Sequence, residues 1–95
     1  MKIPGTLKIG AHKFKVLQKT EAEVVSGNLG ACQVTTCRIW INTSPEIAIS
    51  QREQSFFHEV MEALNGLYQL NLEHHKIETI AEGMYQVLND NGILK

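Results

Sequence analysis

Three residues in the middle of the chain carry the most chemical potential. His58 and Glu62 are four positions apart in the string His58-Glu59-Val60-Met61-Glu62. On a helix that spacing stacks them one turn above the other, so an imidazole and a carboxylate can converge on one ion. This is the arithmetic behind H-E-x-x-H zinc motifs, with glutamate here in place of the second histidine. Glu59 follows the first ligand and points about 100° around the helix. Beside a metal, such a carboxylate serves as a general base toward water. A catalytic site needs a third protein ligand and an open position. Glu73-His74-His75 contains the only adjacent pair of histidines in the chain. Residues 74, 78 and 82 share one helical stripe, which makes His74 the candidate third ligand and Glu78 its substitute or a supporting partner. His75 faces elsewhere, toward solvent.

The same letters admit a reading without chemistry. Glutamates are common on solvated helix faces, so Glu59 and Glu62 could simply be wet and His58 a hydrogen-bonded boundary residue. Glu73 is favoured at a helix start by the macrodipole whatever follows it.

To bring these groups together the chain needs two helices folded back on each other. Phe57, Val60, Met61, Leu64, Leu67 and Tyr68 recur at helical spacing. Ser50-Gln51-Arg52-Glu53 reads as a capping box opening that helix, which closes near Gln69–Asn71. A second helix spans about Glu73 to Asn89, with Ile77, Ile80, Ala81, Met84, Tyr85 and Leu88 on one stripe and Asn91-Gly92 as a left-handed stop. The connector is short enough for an antiparallel helical hairpin.

The first 43 residues read as β structure instead. Leu7–Ile9 turns at Gly10-Ala11 into the partly alternating strand His12–Leu17. Val24-Val25 begins another short strand before Ser26-Gly27-Asn28. Cys32-Gln33-Val34 turns near Thr35-Thr36 and returns as Cys37-Arg38-Ile39-Trp40-Ile41, the clearest strand of the chain. Strands first and helices last predict an α+β fold, with N-terminal antiparallel β-hairpins forming a small sheet ahead of two C-terminal helices.

Composition sets the frame. At 95 residues, 43% apolar and 20% charged, the chain is a single globular domain spanning 1–95. Nine Lys/Arg against ten Asp/Glu give a net charge of −1, which offers no broad grip on nucleic acid or anionic membranes. No helix-turn-helix pattern and no aromatic-basic cluster stands out along the sequence, so a nucleic-acid partner is not expected. Lys8, Lys13, Lys15 and Lys19 gather near the N-terminus and read as the wet face of a strand, with a local basic binding patch as the alternative. The N-terminus lacks a signal-peptide pattern and no apolar run is long enough to span a bilayer, so the expectation is a cytoplasmic protein without membrane contact. Cys32 and Cys37 are then thiols, although a cross-strand disulfide is possible if the hairpin sets them opposite each other.

The chain resembles, from end to end, a family of short phage- and prophage-encoded zincin-like metallopeptidases. The resemblance rests on Ile3-Pro4 with Leu7-Lys8-Ile9-Gly10-Ala11-His12, on Cys37–Ile41, on Ser55-Phe56-Phe57-His58-Glu59-Val60-Met61-Glu62-Ala63-Leu64-Asn65, and on Glu82-Gly83-Met84-Tyr85-Gln86-Val87-Leu88-Asn89-Asp90-Asn91. It implies a zincin-like fold, a zinc cofactor and hydrolysis of a peptide or protein. Members commonly carry H-E-x-x-H followed by an acidic residue at the start of the final helix. This chain departs from that pattern at Glu62 and again at His74. The departures are reciprocal: a His/His/Glu set becomes His58/Glu62/His74, equal in composition and charge. By the same resemblance, Ile39 to Ile41 forms an edge strand where an extended peptide could pair, with Glu59 shuttling protons and Tyr68 or Tyr85 as candidate oxyanion donors. The rival expectation is a non-catalytic zincin-like module that binds a protein.

Overall fold

A computed structural model describes residues 1–20 and 28–94. Its elements are β1 (Thr6–Ile9), β2 (His12–Lys19), β3 (Gly30–Gln33), β4 (Arg38–Asn42), α1 (Ile49–Tyr68) and α2 (His74–Asp90). The fold is α+β, as expected. The expected strand at Val24-Val25 lies outside the described residues.

Each hairpin follows from its turn. Gly10 adopts φ 61°, and β1 pairs antiparallel with β2, Leu7 facing Phe14. Residues 34–37 close the second hairpin, with the Cys37 N–H donating to the Val34 carbonyl at 3.1 Å and Cys37 at φ 53°. β3 then pairs antiparallel with β4, Cys32 facing Ile39. Cys37 thus sits in the turn instead of opposite Cys32, and both cysteines are free thiols.

The hairpins join through a parallel pairing of β2 with β4, which gives the sheet order β1-β2-β4-β3. This corrects the expectation for Ile39 to Ile41. That run is an interior strand, and β3 is the edge beside the helices. Alternation along the strands sends Phe14, Val16, Ile39 and Ile41 to the helical side, where they are buried. Burying a side chain of that kind contributes about 2 kcal/mol.

α1 lies over β3 and β4, and α2 packs on α1. The helices run antiparallel, since Tyr85 of α2 meets Glu53 and Phe57 near the start of α1 while His74 meets Glu62 further along. Because α1 sits between the sheet and α2, both of its sides are covered. Phe56, Glu59 and Ala63 are buried, while Val60, Leu64 and Leu67 pack against the core from partial exposure. In α2 only part of the apolar stripe is covered: Ile77, Ala81 and Tyr85 are buried, whereas Ile80 and Met84 are exposed.

The start of α1 also differs from expectation. The helix begins two residues early, with Ala48 as N-cap and the Gln51 side chain accepting the Ala48 N–H at 3.0 Å. Ser50 is therefore inside the helix and Glu53 is free to turn inward. There it accepts the Tyr85 hydroxyl at 2.7 Å and the amino group of Met1 at 2.8 Å. Among the described residues, no helix is long and apolar enough to cross a membrane.

Candidate metal centre

His58 and Glu62 occupy successive turns of α1, with Nε2 3.7 Å from Oε2. The third group arrives from α2 through a connector held by one side chain. Gln69 and Asn71 take left-handed conformations, the Asn65 carbonyl accepts the Leu70 N–H at 3.2 Å, and the Asn65 amide oxygen accepts the Leu72 N–H at 2.9 Å. This tight exit starts α2 at His74, beside Glu62. His74 Nδ1 lies 3.4 Å from Glu62 Oε2, and the two imidazole rings meet edge-on at 5.0 Å.

His58, Glu62 and His74 therefore form a group that can hold a metal ion, with one ligand atom from each within 4.8 Å of the others. The donor chemistry fits. Ligand bonds of ~2.0–2.1 Å in a tetrahedral site put donor atoms ~3.4 Å apart, so the 3.4 and 3.7 Å separations match or nearly match that spacing. His74 is exposed, so its ring is the one with room to turn toward a shared ion. Glu78 lines the same cavity without belonging to the converging group. His75 turns outward, 3.2 Å from the exposed Glu73.

The three groups open into a cavity of about 620 Å³ between α1, the start of α2 and the β3 edge. Glu59 lines it but is itself buried, at 7% exposure. Its neighbour across the cavity wall is Gly30: a Cβ there would stand 3.1 Å from Glu59 Oε2, 2.7 Å from Ser55 Oγ and 2.8 Å from the Trp40 carbonyl. The absence of a side chain at residue 30 lets the edge strand lie directly against the helix. Burial, and then the nearby Glu62, push the Glu59 carboxyl up to about 7. Burial also pushes the Cys32 thiol up to about 12, reinforced by Glu59, Glu62 and Cys37. Desolvation of this kind penalises charge of either sign; the smaller coulombic part, from Glu59 and Glu62, is what attracts a cation.

Neither tyrosine reaches the site. Tyr85 donates its hydroxyl to Glu53, and Tyr68 lies over the β1–β2 turn, where a Cβ on Gly10 would meet its oxygen at 2.7 Å. The polar groups that do line the cavity include Ser55, Gln51 and Gln54. Ser55 was legible in principle. It precedes His58 by three positions and Glu59 by four, and so shares their stripe. Gly30 and Cys32 carried no comparable local signal. Comparison with family models, curated proteins and solved structures returned no match.

Proposed function

We propose that this chain is a zinc-dependent, peptidase-like protein in which His58, Glu62 and His74 hold the metal and Glu59 is the general base. The observation that carries this reading is the convergence of two imidazoles and a carboxylate from two helices, with a fourth group, the buried Glu59 carboxylate, lining the same cavity. A zinc ion held there supplies a Lewis acid for the scissile carbonyl and acidifies water. Glu59 takes the proton from the attacking water and delivers it to the leaving amine. Burial and Glu62 raise its carboxyl to about 7 before any metal is bound. A dication beside it would lower that value and favour the carboxylate form that accepts the proton.

The substrate-side support comes from β3. The Leu29 carbonyl accepts the Asn42 N–H at 2.8 Å. Antiparallel alternation from that bond turns the N–H and C=O of Gly30 and Cys32 away from β4 toward the free edge. Both residues line the cavity. An extended peptide pairing there would lie alongside Ser55, His58 and Glu59.

The test is elemental analysis of untagged protein purified without added metal. About one zinc per chain in the parent and none in His58→Ala supports the site. A parent protein that remains metal-free after dialysis against micromolar zinc overturns it.

A further inference from the structure

The face of the sheet turned away from the helices collects charge that the sequence scatters between positions 8 and 40. Lys8, Lys13, Lys15 and Lys19 alternate with the inward residues of β1 and β2, and Arg38 does so on β4. The register places Lys8 directly opposite Lys13, and Lys15 directly opposite Arg38. Like charges facing each other across strands are destabilising. Among the described residues no acidic side chain pairs with them. Among the described residues every Asp and Glu lies at position 46 or later, in the helices or the loop entering them. None of these five cations makes an ion pair among the described residues. Among the described residues, the near-neutral total therefore divides into a basic sheet face and acidic helices.

Beside the cations lies one indole. Trp40 and Leu17 are partners in register on the same outer face, and both are half-buried. Lysines along β2 recur at a strand's two-residue repeat of ~6.7 Å, which makes a basic track with a flat ring at its side. Sites for single-stranded nucleic acid combine these two features, a charged path for the backbone and an aromatic platform for bases. A duplex hides its base faces, and an acidic protein surface is the alternative occupant, which competition by polyglutamate distinguishes.

We propose that the outer sheet face binds single-stranded nucleic acid, its phosphates along Lys13, Lys15 and Arg38 and a base against Trp40. This site is on the opposite side of the sheet from the metal centre and does not depend on it.

The experiment uses the full chain and oligodeoxythymidylate of about 15 nucleotides. Trp40 is the chain's single tryptophan, so its emission reports the contact directly. The expected result is quenching on binding, with affinity falling as salt rises by a log–log slope of about −0.7 per phosphate engaged. Lys13→Gln with Lys15→Gln flattens the slope by about 1.4. Trp40→Leu, which removes the reporter and is followed instead by anisotropy of a fluorescein-labelled oligonucleotide, weakens binding roughly tenfold without changing the slope. Lys76→Gln, on the exposed side of α2, binds like the parent. The proposal is overturned if the oligonucleotide is not bound at about 50 mM salt, or if the double lysine variant binds normally. Competition by polyglutamate at equal charge concentration, with Trp40 unquenched, also overturns it and assigns the face to an acidic protein.

Discussion

His74 Nδ1 stands 3.4 Å from Glu62 Oε2, although the two residues belong to different helices. An ion at their meeting point would tie α2 to α1. If the metal is present at about a hundred times its dissociation constant, it adds about 2.7 kcal/mol to folding. For a domain of this size that corresponds to roughly 10–20 °C in Tm. Chelation of the parent protein should lower Tm by that amount, as read by calorimetry. His58→Ala and His74→Ala should already start at the lower value, whereas Glu78→Gln should keep the full metal-dependent shift.

Glu59→Gln separates chemistry from binding. The substitution keeps the shape and leaves the three ligands in place, so zinc stoichiometry should match the parent. Any peptide hydrolysis should fall by about 10²–10⁴-fold, the usual contribution of a positioned proton-transfer group. Retained hydrolysis in this variant would remove Glu59 from the mechanism. A protein whose biological role survives the substitution is an interaction module built on the same scaffold.

The Glu53–Tyr85 contact sets an acid limit on stability. Burial pushes the Glu53 carboxyl upward, but hydrogen bonds from the Met1 amino group and the Tyr85 hydroxyl outweigh it and hold the carboxyl below its ordinary value. A group depressed in the folded state contributes stability above its unfolded pKa and loses it as pH falls through the folded one. Tyr85→Phe removes one donor from a buried carboxylate and should cost about 2 kcal/mol near neutral pH. It should also move the acid-unfolding midpoint to higher pH, as followed by circular dichroism.

Gly30→Ala probes the approach of β3 to α1. The added methyl would meet the Trp40 carbonyl, which is fixed in the sheet, as well as Ser55 and Glu59. Overpacking of this kind costs about 1–3 kcal/mol. Amide exchange should show earlier opening of β3, while zinc content stays near the parent level because none of the three ligands touches residue 30.

Local arithmetic explains what could be read from the sequence. The His58–Glu62 stacking and its relation to His74 follow from helical spacing and a short connector, and both hairpins follow from their turns. The parallel union of β2 with β4 has no local signature, because it depends on which edges of two finished hairpins meet. That choice decides that β3, and not Ile39 to Ile41, borders the cavity. The stripe of α2 showed the width of its apolar arc without showing that Ile77, Ala81 and Tyr85 would be covered while Ile80 and Met84 were not. Glu53 looked like a capping residue because a box pattern cannot reveal that Tyr85 waits 32 positions later. The basic face was legible in part: four lysines stand out near the N-terminus, but only the sheet register shows that Arg38 joins them from β4.

The Asn65 brace on the α1–α2 connector bears on how fast the site can trade its ion. Two ligands stand on a rigid rod, and the third sits at the rim with 69% of its side chain in solvent. Releasing a single imidazole opens the coordination shell, and the brace keeps that imidazole close at hand for recapture. Any ion held there would be a loan from the surrounding pool, open to a competing chelator through the exposed His74.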